Sequence, residues 1–176
     1  MRSDPRARVI WYPLLTIAHI IGTVLGAGGA TFGEVLYLRA IRDGAIDATE
    51  RGFLRLTLPV MRAGLILLVL SGFGYLLAFR LAGDTMRLYS PVFWAKMTIA
   101  LVLVLNSFLL HIRRIPVGIG SALSFTSWYA ALILGSWRGM QASYGSILLL
   151  YAVAVAVVGV VLRLLDRAAR PPPSRR

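Results

Sequence analysis

The chain contains no cysteine and few acidic residues. Seven aspartate and glutamate residues stand against nineteen basic ones, and Lys96 is the only lysine among them. The lack of cysteine excludes disulfides, thiolate metal sites and cysteine nucleophiles. His19 and His111 are the only histidines. A histidine-based metal site would therefore have to use one or both of these two residues.

The polar surface that a soluble domain needs is also missing. Hydrophobic residues make up 58% of the 176 positions, charged residues make up 15%, and the mean hydropathy is +0.76. Apolar runs of about 20 residues recur along the chain, and each is long enough to cross ~30 Å of hydrocarbon. The sequence therefore predicts an all-α integral membrane protein that is surrounded by membrane lipids.

A single membrane domain over residues 1–166 is expected, and it is built from a bundle of about five transmembrane helices. The predicted helices cover about residues 12–38, 58–79, 91–111, 116–134 and 144–165. The first apolar run exceeds signal-peptide length and has no A-x-A-like cleavage site, so we expect it to be retained. Residues 167–176 are predicted to be a disordered basic tail.

The connection between the first two segments has a helix-start pattern of its own. Asp47 and Glu50 have the spacing of a capping box, and Phe53, Leu54 and Leu58 follow at helical spacing. This pattern predicts a short amphipathic interfacial helix from Ala48 to about residue 57.

The two ends of the predicted bundle differ in arginine content. The first and third connections and the C-terminal tail together carry 11 basic residues, against 6 on the other side. Because basic loops favour the cytoplasm, we expect a multi-pass protein of the cell (cytoplasmic or inner) membrane, with its N-terminus outside and its C-terminus cytoplasmic. Attraction to anionic lipid head groups and the orientation of the helices explain the net charge of +12. No basic patch with interleaved aromatic residues is present, so no nucleic-acid partner is expected.

His19 and Lys96 are predicted to lie in one layer of the membrane. The first and third segments run in the same direction, so depth follows from the distance to each helix start. At 1.5 Å per residue, His19 is roughly 10 Å deep, Lys96 roughly 8 Å, and His111 roughly 30 Å, at the opposite face. This separation excludes a bis-histidine haem, whereas a site that combines His19 and Lys96 is geometrically allowed.

Further side chains are assigned to a layer by the same count. Four residues of the second and fourth segments are expected at a depth similar to that of His19 and Lys96: Ser71, Tyr75, Trp128 and Tyr129. The glycines of the first segment leave room for another helix or for a flat ligand: Gly22, Gly26, Gly28, Gly29 and Gly33. At the other face, near Asn106 and His111, Glu34 and Arg62 are expected to pair, since each is costly alone at membrane depth.

Each of these residues also has a simpler interpretation. His19 could form only a hydrogen bond between helices, and Lys96 could extend its ammonium group to the lipid head groups. His111 precedes Arg113 and Arg114, as is typical of an interfacial position. The small residues of the first segment are typical of plain helix packing.

Two stretches resemble the CopD/HemJ-like membrane families. The stretch "LLTIAHIIGTVLGAGGATFGEVLYLRA" is similar to their first helix, which has an early histidine, a Gly-rich half and a charged exit. The stretch "VFWAKMTIALVLVLNSFLLHIRR" looks like their W-x-K-x-x-L-type helix, with a later histidine. In HemJ-type protoporphyrinogen oxidases the first-helix histidine and this lysine are tied to haem binding and activity. The resemblance implies these roles for His19 and Lys96, and it places the later family histidine at His111.

The leading hypothesis is a haem-b-binding membrane protein of redox type, a haem-dependent oxidoreductase that oxidises a porphyrinogen or passes electrons to quinone. His19 would be the axial ligand, and Lys96 would be the second ligand or the cation that neutralises a haem propionate. Lysine suits this role because its amine can become neutral and coordinate iron, whereas arginine stays charged. Gly26, Tyr75 and Trp128 would contact the cofactor.

Two alternatives remain open at this point. One is a structural or accessory membrane subunit without a cofactor, whose helices pack with a partner protein or with a second copy of the chain. The other is a small proton-coupled transporter that uses Glu34, Arg62 and His111.

Overall fold

The computed structural model describes residues 5–42, 46–137 and 139–170, with side chains from residue 11 onward. Within these ranges the chain forms helices and no strand. The helices are α1 (Pro5–Ala40), α2 (Ala48–Ala82), α3 (Thr85–Leu88), α4 (Pro91–His111), α5 (Val117–Ser136) and α6 (Tyr144–Ala169). Residues 171–176, the last part of the predicted basic tail, lie outside the described residues.

Five of these helices, namely α1, α2, α4, α5 and α6, are long and apolar enough to cross a membrane. The predicted all-α bundle with five membrane spans is confirmed, and the chain is a multi-pass membrane protein. The bounds predicted for α4 are those observed. Helix α6 extends to Ala169, so the first residues of the predicted tail are helical.

The connection before α2 begins as predicted but continues differently. The Asp47 side chain accepts a hydrogen bond from the Glu50 backbone N–H at 2.7 Å, and the Glu50 side chain accepts one from the Asp47 N–H at 3.0 Å. The helix that this capping box starts runs without interruption to Ala82. Residues 48–57 are therefore helical but are not a separate interfacial helix. Pro59 lies inside this helix and lacks a backbone N–H group. Prolines of this kind are tolerated within transmembrane helices.

Helices α1 and α2 pack with their backbones in contact. A Cβ atom added at Gly22 would lie 2.8 Å from the backbone nitrogen of Leu68 and 2.9 Å from the carbonyl oxygen of Gly64. A Cβ atom at Gly64 would in turn lie 2.8 Å from the carbonyl oxygen of Gly22. Small residues at such positions allow membrane helices to approach closely. The sequence predicted that the glycines of α1 make room for either another helix or a ligand. At Gly22 that room is taken by α2.

Helix α5 contacts α1, α4 and α6, and it carries the largest fully buried side chain, Trp128, which is 1% exposed. The Trp128 ring lies directly on Gly26, where any Cβ atom would clash with it. Trp128 belongs to a buried cluster that also contains Ala27, Leu68 and Leu103. This cluster joins α1, α2, α4 and α5 at the middle of the bundle.

The C-terminal ends of α1 and α6 are joined by polar contacts. The Tyr37 hydroxyl donates a hydrogen bond to Asp166 Oδ1 at 3.0 Å, and Arg170 forms an ion pair with Asp166 at 3.1 Å. These two helix ends therefore lie on the same side of the bundle.

Candidate functional site

His19 is held between α1 and α2 by a single side-chain partner. Its Nδ1 atom lies 2.8 Å from the Oγ atom of Ser71, which is 3% exposed. The His19 ring itself is half-buried. The predicted depth is confirmed for Ser71, because the two residues are in direct contact.

The hydrogen bonds of Ser71 determine which nitrogen of His19 carries the proton. The Ser71 hydroxyl lies 2.6 Å from the carbonyl oxygen of Leu67 and 3.1 Å from that of Leu68. A hydroxyl has one proton, and these carbonyls can only accept it. Ser71 therefore accepts a hydrogen bond from the Nδ1–H group of His19. The Nε2 atom of the neutral ring is left with a free lone pair, which is the form that binds a metal or takes up a proton.

Tyr75 packs against the His19 ring with its edge. The ring centroids are 5.8 Å apart and the planes are inclined by 79°. The Tyr75 hydroxyl lies 2.7 Å from Thr16 Oγ1, which donates to the carbonyl oxygen of Tyr12 at 2.8 Å. Tyr75 therefore donates to Thr16, and this bond fixes the tyrosine ring. Thr16 was not predicted, although its position three residues before His19 places it on the same face of α1.

Lys96 reaches this layer from α4. An aromatic series runs from Tyr75 through Phe79 to Phe93, with centroids 5.9 Å and 5.8 Å apart, and Phe93 lies three residues before Lys96. Because the Tyr75 ring also packs against His19, this series links the His19 layer to the start of α4, where Lys96 lies. Lys96 is half-buried and forms no ion pair in the described part of the chain. The layer thus combines an imidazole with an amine that has no counter-ion among these residues.

Trp128 and Tyr129 do not belong to this layer, contrary to the prediction. Trp128 covers Gly26, which is seven residues and so roughly 10 Å further along α1 than His19. The Tyr129 hydroxyl lies 2.8 Å from Thr31 Oγ1, further along α1 again. The residue count assumed that all helix ends lie in one plane. The later end of α5, at Ser136, accounts for only about 3 Å of the difference, so the ends of α1 and α5 are offset along the bundle. The Trp128 ring therefore packs against Gly26 in the core, and neither residue is open to a ligand at this contact.

The polar residues of the opposite face are paired differently from the prediction. Arg62 Nη2 lies 3.4 Å from His111 Nδ1, which joins α2 to α4. Glu34 forms no ion pair with Arg62 among the described side chains, so the predicted pair is wrong. The reason is rotational, since Arg62 lies on the face of α2 that meets α4 rather than on the face that meets α1.

A protein-only metal centre is not formed by the described residues, because no group of three or more histidine and carboxylate side chains lies close enough together. No family model, curated protein or solved structure matches this chain.

Proposed function

We propose that this protein binds haem b in the membrane, with His19 as an axial ligand. The observation that supports the proposal most is the His19–Ser71 hydrogen bond. Histidine ligands of metals usually donate their other N–H group to a nearby acceptor, which fixes the tautomer and the orientation of the ring. Ser71 does this at 2.8 Å and leaves the Nε2 lone pair of His19 available to iron.

Lys96 is the second residue of the proposed site, either as the other axial ligand or as the cation beside a haem propionate. Both roles require an amine near His19 that no carboxylate has already neutralised. Lys96 forms no ion pair among the described residues, and the aromatic series that ends at Phe93 links its part of α4 to His19. A substitution by arginine separates the two roles, because arginine keeps the charge but cannot coordinate iron.

The packing of α1 limits where a porphyrin could lie. Since Trp128 covers Gly26, the proposed haem has no access to that glycine. Tyr75 and Phe79 of α2 and Phe93 of α4 form a series of rings whose successive centroids are 5.9 Å and 5.8 Å apart. We assign the porphyrin contacts to these three rings, of which only Tyr75 was expected from the sequence.

When bound, haem supplies one-electron redox chemistry. The protein's own contribution is to hold the imidazole in its metal-binding tautomer and to keep a cation in the same layer. The resemblance to the CopD/HemJ-like families adds an oxidoreductase role, with a porphyrinogen or a quinone as reaction partner. The arginine distribution supports a location in the cell membrane, with the N-terminus outside and the C-terminus in the cytoplasm.

The test is an absorption spectrum of protein purified from haem-replete cells. We expect a Soret band that is lost in His19→Ala and retained in His111→Ala. The second histidine is a matched control, because it lies at the other end of the bundle and has a different partner, Arg62. A wild-type protein without a Soret band would overturn the proposal, and so would equal spectra for wild type and His19→Ala.

The second candidate is an accessory membrane subunit that binds no cofactor. The observation in its favour is the covered surface at Gly22 and Gly26, where the backbone of α2 and the ring of Trp128 leave no flat slot. Under this alternative His19 only joins α1 to α2, and the purified wild-type protein has no haem spectrum. The transporter alternative loses support because Glu34 is not part of the contact between Arg62 and His111.

A further inference from the structure

A cavity of about 270 Å³ lies between α2, α4 and α5, apart from the His19 layer. Its apolar wall includes Met61, Leu103 and the ring of Trp128. Its polar wall includes Arg62, Asn106 and His111, two of which are exposed and therefore form its mouth. The cavity thus has an apolar interior and a polar opening, as small-molecule sites usually do.

The polar groups at the mouth are suited to an anion. His111 Nδ1 accepts a hydrogen bond from the Arg62 guanidinium, so His111 presents its Nε2 proton as a donor. Arg62 has further N–H donors and, among the described residues, no carboxylate partner. Arg113 and Arg114 follow His111 closely and are exposed, which adds positive charge at this end of α4.

The wall of the cavity also contains a buried polar atom without a partner. Asn106 is 3% exposed, and its Nδ2 group donates to the carbonyl oxygen of Gly120 at 2.9 Å. Its Oδ1 atom has no hydrogen-bond partner among the described residues. Buried polar atoms are almost always paired in native proteins, so this acceptor points to a donor group that enters from outside the chain.

We propose that this cavity binds the anionic end of an amphiphile, a phosphate or carboxylate group attached to an apolar chain. The anion lies at Arg62 and His111, and the beginning of the apolar chain lies against Leu103 and Trp128. A volume of 270 Å³ equals that of about nine water molecules, which accommodates a head group and the start of a chain but not a whole lipid. A hydroxyl on the head group would donate to Asn106 Oδ1.

Trp128 provides the reporter for the test. The other three tryptophans, Trp11, Trp94 and Trp137, are exposed and would be reached by any surrounding lipid. Their replacement by phenylalanine leaves Trp128 as the only tryptophan, and its burial keeps it from general lipid contact. Brominated chains quench tryptophan fluorescence on contact, so quenching measures entry into the cavity. The probes are phosphatidylglycerol, a fatty acid and phosphatidylcholine, each brominated near the head-group end of the chain and added in detergent.

We expect saturable quenching by brominated phosphatidylglycerol, by brominated fatty acid or by both, at concentrations about tenfold lower than those needed for phosphatidylcholine. Quenching by phosphatidylglycerol alone identifies a lipid phosphate as the ligand, and quenching by the fatty acid alone identifies a free carboxylate. Equal quenching by phosphatidylcholine would overturn the proposal, as would the absence of quenching by any probe.

Arg62→Gln and Arg80→Gln form a matched pair, since both arginines are exposed on α2 but lie eighteen residues apart. We expect Arg62→Gln to raise the half-saturation concentration of the anionic probe about tenfold and Arg80→Gln to leave it unchanged. Equal affinities in the two variants would refute the site. The result is independent of haem binding, because His19 and Lys96 do not line this cavity.

Discussion

The Nδ1 atom of His19 lies 2.8 Å from the Oγ atom of Ser71, and the Ser71 hydroxyl donates its own hydrogen bond to the backbone of α2. This relationship decides the chemistry of the only histidine in its layer. In the neutral imidazole it selects the tautomer whose Nε2 atom carries the lone pair. The same contact joins α1 to α2 within the membrane, so Ser71 is a positioning residue with a structural contribution as well.

Ser71→Ala removes the acceptor that orients His19. If His19 is a haem ligand, we expect the affinity for haem to fall roughly 10- to 100-fold, as is usual for the loss of such a partner. Titration of haem into apoprotein, followed at the Soret band, measures the change. Ser136→Ala is the control, because its hydroxyl also donates to a carbonyl four residues earlier but has no histidine partner. Identical titrations for the two variants would show that Ser71 does not support a haem ligand.

Substitutions of Lys96 distinguish a ligand from a charge partner. Both roles predict that Lys96→Met weakens haem retention during purification, because the amine is lost. If Lys96 coordinates iron, Lys96→Arg alters the spectrum as Lys96→Met does, since arginine does not deprotonate. If Lys96 faces a propionate, Lys96→Arg keeps both spectrum and retention. Full haem retention in Lys96→Met would exclude both roles. The remaining interpretation would be that Lys96 extends its ammonium group to the lipid head groups.

Gly22→Ala tests the backbone contact between α1 and α2. The added methyl group would meet backbone atoms of Leu68 and Gly64 at 2.8 and 2.9 Å, and backbone cannot move aside as a flexible side chain can. We expect a loss of about 1–3 kcal/mol in stability, the range typical of overpacked cores. Gly28→Ala is the control, because nothing lies within 4 Å of its added Cβ atom. That variant should be neutral or stabilised by up to about 1 kcal/mol through helix propensity.

The comparison is made on thermal unfolding in detergent, followed by circular dichroism. A midpoint for Gly22→Ala at or above that of Gly28→Ala would contradict the close packing of α1 and α2.

Asp47→Ala tests whether α2 starts at its capping box. Asp47 accepts a hydrogen bond from the Glu50 N–H at 2.7 Å, and the loss of such a cap costs about 0.5–2 kcal/mol. Ser90→Ala is the matched control, because Ser90 occupies the same position before α4 but its side chain forms no capping hydrogen bond. We expect a lower unfolding midpoint for Asp47→Ala than for Ser90→Ala. A lower unfolding midpoint for Ser90→Ala than for Asp47→Ala would show that the capping box does not stabilise the start of α2.

The sequence was sufficient for some of the contacts and not for others. Ser71 and Tyr75 were placed beside His19 by counting residues, and both touch it. The same count placed Trp128 in this layer, although its ring lies on Gly26. A count along the axis works only where helix ends share a plane. It contains no information on rotation about the axis, which is why Arg62 was paired with Glu34 rather than with His111.

The sequence by itself determined the number of membrane spans. The free energy of burying long apolar runs in hydrocarbon depends on composition and length, and both are visible in one dimension. Only the tertiary structure decided the hydrogen-bond partner of His19, the covering of Gly22 and Gly26 by α2 and by a tryptophan ring, and the partner of Arg62. These features depend on helix tilt, rotation and the distances between side chains that are far apart in the chain. Such distances are set by packing among all five membrane helices at once, so no single segment encodes them.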